Sequence, residues 1–128
     1  MDDKPVVLIV GVEFHGPPER EQEFNKWYNE VHIPYFLGSR NVQGAVRYEL
    51  VRGITTYPGA PKYLAIYQFE NRQALEAVYA DGHMAGGLAQ RRGIWSGEEW
   101  EAKWGGAFEA TGVWPAMTDG HPNPTRRK

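Results

Sequence analysis

The residues best suited to chemistry are a tyrosine and a histidine in the segment EFNKWYNEVHIP. Tyr28 and His32 lie four residues apart, so on a helix the phenol and the imidazole would meet on one face. Imidazole titrates nearest to neutral pH, which lets His32 accept or donate a proton while Tyr28 orients it or donates to a substrate oxygen. The pair therefore predicts acid–base catalysis. The alternative is that Tyr28 is a core aromatic and His32 caps the end of a helix.

His83 is the second candidate for a catalytic imidazole. It begins a glycine-interrupted segment, residues 83–100, that we predict to be a short helix followed by a loop. Long loops in a compact domain often act as lids, and such loops supply many catalytic groups. His15 ends the first predicted strand, where polar residues are common, and His121 lies in a tail that we expect to be solvated.

Aromatic residues make up 13% of the chain, a supply that suits an aromatic-lined pocket or a subunit interface. The candidate substrate-binding residues are Phe24, Trp27, Phe36, Arg47 and Tyr67. For Phe24 and Trp27 the alternative is a purely structural role in the core, because they share the apolar face of a predicted helix. For Arg47 the sequence favours an exposed or interfacial ion pair, with Glu49 as the partner.

The composition excludes several classes of protein and site. Fourteen basic residues against sixteen acidic ones give a formal charge of −2, so no electrostatic footprint for nucleic acid or an anionic membrane is present. No apolar run approaches the ~20 residues of a membrane span, and no signal-peptide pattern occurs. The absence of cysteine removes thiolate ligands and nucleophiles, and neither a metal-ligand spacing nor a phosphate-binding motif is found. We expect a cytoplasmic protein that binds a small hydrophobic or aromatic molecule and needs no cofactor or metal.

Hydrophobic periodicity and turn residues predict six main elements. They are a strand over Val6–Phe14, a helix from Pro17 to about His32, a strand from Val42, a strand over Tyr63–Phe69, a helix from Asn71 to about Tyr79 and a strand over Lys103–Trp114. The first helix should bury a face made of Phe24, Trp27, Tyr28 and Val31. The second should bury Leu75, Val78 and Tyr79. Pro34 disfavours the helical conformation at Ile33, so the first helix is expected to end at His32.

This order, β-α-β-β-α-β, is that of the ferredoxin-like α+β sandwich, in which two helices cover one face of a four-stranded antiparallel sheet. The second and third strands are expected to pair as a hairpin with a long loop. Apolar and aromatic residues occur on both faces of several predicted strands, yet two helices cover only one face. We therefore expect residues 1–116 to form a single domain whose free sheet face is covered in a homodimer, followed by a flexible tail over residues 117–128.

Three segments of the chain resemble the EthD-like branch of the dimeric α+β barrel superfamily: EFNKWYNEVHIP, NVQGAVRY and KYLAIYQF. The resemblance covers roughly residues 4–115, and W-Y-x-x-x-H-x-P is its most specific part. It implies two ferredoxin-like units packed sheet to sheet into a barrel, each with a pocket between sheet and helices. The superfamily includes cofactor-free cyclases, lactone isomerases and monooxygenases of polyketide and aromatic metabolism, together with haem-binding dehydratases and haem-degrading enzymes.

The residues and the resemblance together predict a small homodimeric enzyme that needs no bound cofactor. The expected chemistry is isomerisation, cyclisation, dehydration or lyase-type cleavage by proton transfer, on an aromatic or unsaturated carbonyl compound of catabolism or polyketide-type metabolism. One alternative is a non-catalytic protein that binds an apolar small molecule or assists a partner enzyme. Another, implied only by the resemblance, is a haem-binding enzyme of the same superfamily with His32 or His83 as the ligand.

Overall fold

The computed structural model describes residues 4–53, 59–92 and 94–115. Its elements are β1 (Val6–Phe14), α1 (Pro18–Trp27), a π-helical turn (Tyr28–His32), α2 (Ile33–Leu37), β2 (Gly44–Glu49), β3 (Tyr63–Phe69), α3 (Arg72–Ala80), α4 (His83–Arg92) and β4 (Trp100–Glu109). The strands form one antiparallel sheet in the order β2-β3-β1-β4, which confirms the predicted ferredoxin-like α+β fold. No helix within these ranges is long and apolar enough to cross a membrane. The predicted tail over residues 117–128 lies outside the described residues.

The central strand β1 sets the boundaries of its neighbour β4. The two strands pair from Phe14↔Trp100 to Val6↔Glu109, so β4 begins and ends opposite the ends of β1. The predicted strand over Lys103–Trp114 is therefore wrong at both ends, because the chain after Glu109 runs past the start of β1. The bounds of β1 and β3 match their predictions, and β2 and β3 form the expected antiparallel hairpin.

A π-helical turn over Tyr28–His32 carries the helix past its predicted end. The backbone N–H of Ile33 donates to the carbonyl oxygen of Tyr28, five residues back, and Ile33 has helical φ and ψ values of −61° and −49°. Pro34 has no N–H to donate and sits in the first turn of α2, where a helix leaves its N–H groups unpaired. The prediction that the helix ends at His32 is therefore wrong, because the wider turn lets the chain continue into α2.

The extra residue in the π-helical turn changes which side chains face the core. Tyr28 and His32 are both buried, and His32 is only 7% exposed. Val31 is 43% exposed, so its predicted place in the core is wrong. A regular helix would have kept Val31 on the face of Phe24, but the additional residue rotates it outward. The turn thus brings the phenol and the imidazole of the predicted pair to the inside of the fold.

Aromatic side chains fill most of the core between the helices and the inner face of the sheet. The buried members are Phe24, Trp27, Tyr28, Phe36, Tyr63, Tyr67, Phe69, Trp95 and Trp100. Phe24 is fully buried at the centre, with the ring centroids of Phe14 and Trp100 at 5.1 and 5.2 Å. Rings at these separations attract one another beyond the area that they bury. The cluster therefore fixes α1 and the π-helical turn on the sheet.

Helix α3 packs on the sheet and leads into α4. The Asn71 side chain accepts a 2.9 Å hydrogen bond from the backbone N–H three residues on, which confirms the predicted N-cap. Val78 is buried as predicted, whereas Tyr79 is exposed, because it lies about 100° further round the helix. Gly82 has a φ of +89°, a conformation that glycine adopts without strain, and it separates α3 from α4. The predicted short helix at the start of residues 83–100 is confirmed as α4.

The outer face of the sheet, turned away from the helices, is also apolar. Its large side chains are Val7, Ile9, Val46, Tyr48, Leu64, Ile66, Trp104 and Phe108. Those of Val46, Tyr48, Trp104 and Phe108 are exposed. Soluble monomers rarely leave a wide contiguous apolar patch in water.

A substitution at Gly87 tests how closely α4 packs on α2. A Cβ at this position would clash with the buried ring of Phe36, which other aromatic rings hold in place. We expect Gly87→Ala to lower the free energy of unfolding by about 1 to 3 kcal/mol, because overpacking outweighs the roughly 1 kcal/mol that alanine adds in a helix. Gly97→Ala is the control, since Gly97 is exposed with open space around it. Urea denaturation measures both variants, and an unchanged stability of Gly87→Ala would contradict this close packing.

Candidate active site

A cavity of about 440 Å³ lies between the inner face of the sheet and the helices. Its volume is typical of small-molecule pockets, and its walls are mainly apolar. The lining residues include Leu8, Val10, Tyr28, His32, Phe36, Val42, Tyr67, Met84, Gly87, Leu88, Arg91 and Trp100. Strand β4 provides much of the space, because its inward residues Ala102, Gly105 and Ala107 are small where β1 and β3 carry large side chains.

His32 reaches the cavity wall from the end of the π-helical turn. Its imidazole stacks on the Trp27 indole, with ring centroids 4.7 Å apart and planes 21° from parallel. Its Nδ1 lies 3.1 Å from the amide oxygen Oε1 of Gln90 on α4. Because an amide oxygen only accepts, this hydrogen bond places the proton on Nδ1 and leaves the lone pair on Nε2. His32 therefore has the tautomer of a general base.

Burial keeps the imidazole of His32 neutral. It lowers the pKa of His32 below the ordinary value of 6.5, since a charged ring would lose its contact with water. The hydrogen bond to Gln90 opposes this shift, whereas the positive charges of Arg91 and Arg47 lower the pKa further. His32 is therefore ready to accept a proton at pH 7.

Tyr28 and Tyr67 form a pair of buried phenols beside His32. Their hydroxyls share a hydrogen bond, and the ring centroids of Tyr28 and His32 are 4.9 Å apart. Burial raises the pKa of both hydroxyls above the ordinary value of 10, while the charge of Arg47 acts in the opposite direction. Both phenols stay protonated at neutral pH. One hydrogen bond uses only one of the two O–H groups, so the pair keeps a donor for an oxygen in the cavity.

Arg47 lies behind Tyr28 and does not line the cavity. Its guanidinium carbon is 4.3 Å from the centroid of the Tyr28 ring and 4.7 Å from that of Tyr63, and Nη1 donates to Asn29 at 3.1 Å. Nε and Nη2 are buried with no acceptor among the described residues, so the aromatic faces stabilise the charge. The predicted exposed ion pair with Glu49 is wrong, because the side chain turns onto the inner face of the sheet.

The remaining predicted substrate-binding residues divide into two groups. Phe36 and Tyr67 line the cavity, whereas Phe24 and Trp27 do not. Phe24 is fully buried in the core, and Trp27 supports the face of the His32 ring. Trp27 therefore contacts the His32 imidazole and not the space of the cavity.

The other two described histidines, His15 and His83, do not line the cavity. His83 Nδ1 is 2.9 Å from a carboxylate oxygen of Asp81, and its ring does not line the cavity. The structure thus does not bring His83 together with the phenol and imidazole of the π-helical turn. His15 pairs with a glutamate on the surface, and His121 lies outside the described residues.

Helix α4 supplies lining residues that were not predicted. Met84, Gly87, Leu88 and Arg91 follow the spacing i, i+3, i+4 and i+7, which places them on one face of the helix. This spacing was a signal available in the sequence. The adjacent glycines at 86 and 87 obscured it, because glycine lowers the propensity for a helix. Here they allow α4 to approach α2, and that approach brings Gln90 and Arg91 to the site.

A haem, the other alternative, would find His32 as the one imidazole ligand in the described lining, and that ring is stacked on Trp27 with its Nδ1 hydrogen-bonded to Gln90. Within the described ranges, no group of three or more acidic or histidine side chains could hold a metal ion. The chemistry that this site offers through its own side chains is acid–base chemistry.

Comparison with known proteins relates the chain to solved structures. No protein-family model and no curated protein matches the sequence. HapK from Hahella chejuensis matches with a TM-score of 0.60 and 14% identity, over 88% of this chain and 99% of its own. SnoaB from Streptomyces nogalater, a cofactor-independent oxygenase, matches with a TM-score of 0.54 and 15% identity, over 88% of this chain and 99% of its own. An EthD family protein from Bacillus halodurans matches with a TM-score of 0.58 and 10% identity, over 84% of this chain and 98% of its own.

These similarities establish the architecture. The chain has a ferredoxin-like α+β fold, which it shares with these solved structures. An EthD family protein is among its structural neighbours, so the predicted resemblance is confirmed at the level of the fold. One fold of this kind hosts many chemistries, and function must be argued from the site.

The buried neutral His32 makes stability depend on pH. Because folding holds its pKa below 6.5, the unfolded chain binds more protons as the pH falls through that value. We expect the free energy of unfolding to decrease from about pH 7.5 to about pH 5.5, and to decrease less in His32→Gln. Urea denaturation at the two pH values measures this, and the difference between the two proteins isolates His32. An equal pH dependence in both would contradict a lowered pKa.

Proposed function

We propose that this protein is a cofactor-independent enzyme that transfers a proton on an aromatic or unsaturated carbonyl compound. The observation that carries the proposal is a neutral His32, with its lone pair on Nε2, beside the Tyr28–Tyr67 phenol pair in one apolar cavity. Such chemistry needs a base, a donor for the developing oxyanion and walls that exclude water. The cavity offers the base, the donor and mainly apolar walls.

In the first step, His32 Nε2 takes a proton from the carbon next to the substrate carbonyl. The electron pair of the broken C–H bond moves into the C–C bond, and the carbonyl π electrons move to the oxygen, which becomes an enolate. The phenol pair donates a hydrogen bond to that oxygen, so its charge is stabilised as it forms. The imidazolium then returns the proton, to a different carbon in an isomerisation or to a leaving oxygen in a dehydration.

The protonation states of the site suit these roles. The neutral imidazole needs no activation at pH 7, and its burial makes the imidazolium short-lived, since the charged form is disfavoured in the cavity. The phenols remain donors because burial raises their pKa values. A positioned base contributes about 10²- to 10⁴-fold to a rate, and an oxyanion donor about 10²- to 10³-fold.

We further propose that two copies pair through the outer face, as in the dimeric α+β barrels. The helices that the structure describes pack on the opposite side of the sheet, and the exposed large side chains of the outer face are aromatic or β-branched. Burying such a surface against a second copy removes apolar area from water. The pairing also uses the same surface patch on both partners, as a two-fold dimer requires.

Hydrogen–deuterium exchange tests the proton transfer without knowledge of the natural substrate. The probes are 2-tetralone and 1-indanone, aromatic ketones with acidic hydrogens beside the carbonyl, followed by NMR in heavy water. We expect the protein to catalyse exchange, His32→Gln to lower the catalysed rate by roughly 10²-fold or more, and Tyr28→Phe to lower it less.

The control for the exchange experiment is His83→Gln, whose imidazole lies outside the cavity and whose loss should leave the rate unchanged. Circular dichroism verifies that each variant is folded. Undiminished exchange in His32→Gln, with loss in His83→Gln, would move the chemistry to the start of α4. Binding of the ketones without catalysed exchange would instead support the alternative, a non-catalytic binding protein.

Val46 and Val31 provide a matched test of the dimer. Val46 is 36% exposed on the outer face, and Val31 is 43% exposed on the helical side. At micromolar concentration, light scattering should give twice the 14.5 kDa chain mass for the wild type and for Val31→Glu, and the chain mass for Val46→Glu. The reason is that a carboxylate is strongly disfavoured in an apolar interface. A wild type that is folded and monomeric would contradict the proposed pairing.

A further inference from the structure

Arg91 is the only charged side chain in the cavity wall at pH 7, among the residues that the structure describes. It lies in the last turn of α4, on the helix face that also lines the cavity with Met84 and Leu88. Its guanidinium carbon stands 3.9 Å from the centroid of the Trp100 ring, and Nη2 donates to the Trp100 carbonyl oxygen at 2.5 Å. These two contacts hold the charge in one orientation at the edge of the cavity.

No carboxylate in the described part of the chain balances the charge of Arg91. The ion pairs found there use other cations, and the one hydrogen bond that the Arg91 guanidinium makes within the described ranges runs from Nη2 to the Trp100 carbonyl oxygen. Burial lowers the pKa of Arg91, yet an arginine stays protonated in proteins. The nitrogens Nε and Nη1 of Arg91 are not among the buried polar atoms, so they are open to a ligand, and a bound anion would accept charge-assisted hydrogen bonds from them.

The surroundings of Arg91 reinforce the positive potential of the cavity. Arg47 lies behind Tyr28, so the cavity has a second cation close to its wall. The carboxylates of Glu21 and Glu99 are already bound by other basic side chains. An anion that enters would therefore meet Arg91 in the wall, with the charge of Arg47 behind the Tyr28 ring, and no acidic side chain in the described lining.

We propose that the ligand of this cavity is an aromatic carboxylate and that Arg91 binds its ionised carboxyl group. The ring system would contact the apolar walls, and the carboxylate would accept hydrogen bonds from the guanidinium. This inference rests on the proposed function, because it takes the same cavity as the ligand site. It adds the chemical class of the ligand. The carboxylate is present before any reaction and is a different group from the carbonyl that faces the phenol pair. Arg91 would thus select acids over neutral compounds of the same shape.

Isothermal titration calorimetry with 2-naphthoate and 2-naphthamide tests this inference, because the two probes share a ring system and only the first is charged. The wild type should bind 2-naphthoate at least about tenfold more tightly than the amide. Arg91→Gln should remove the preference, and Arg91→Lys, which keeps the charge, should retain part of it. Arg92→Gln is the matched control, since Arg92 is exposed on the same helix and does not line the cavity.

Three results would overturn the inference: equal affinities of the wild type for the two probes, no binding of 2-naphthoate up to about 1 mM, or an undiminished preference in Arg91→Gln. His32→Gln separates it from the proposed function, because this variant should keep the preference for the acid while losing catalysed exchange. Equal affinities together with catalysed exchange in the wild type would contradict the carboxylate site and leave the proposed reaction standing. A clear preference for 2-naphthoate without catalysed exchange would contradict the proposed reaction and leave the carboxylate site standing.

Discussion

The π-helical turn over Tyr28–His32 is the constraint on which the rest of the site depends. A straight α-helix broken at the proline would have left the imidazole at a frayed end in water, where its pKa would stay near the ordinary value. The extra residue instead keeps the helix intact and holds the ring against Trp27 in the aromatic core. Turns of this kind are rare and occur often at functional sites. Packing and chemistry are coupled here, since the same rings that stabilise the turn desolvate the base.

Signals carried by short stretches of sequence predicted the fold well. A run rich in valine and isoleucine located β1, β-branched and aromatic residues located β3, and the asparagine at position 71 located the start of α3. Features set by contacts distant in sequence were not predicted. The end of β4 depends on where β1 begins, and the close approach of α4 to α2 depends on two glycines packing against Tyr35 and Phe36. No local pattern contains that information.

The same distinction applies to the candidate site. The spacing of Tyr28 and His32 located its centre, because four residues on a helix bring two side chains together even when the turn is irregular. Alternation on β2 separated Arg47 from Val46, but only the assembled sheet shows which face meets the helices. Arg91 lay in a segment that looked irregular, so its place in the wall required the packed structure.

The small side chains of β4 determine the size of the cavity, whereas the reacting groups come from other elements. Ala102, Gly105 and Ala107 belong to a strand at the edge of the sheet, whereas the base and the phenols come from the π-helical turn and from β3. A larger residue at one of these three positions would reduce the volume without touching the groups that move the proton. Evolution could therefore retune which molecules enter by altering one edge strand, and leave the reacting groups unchanged.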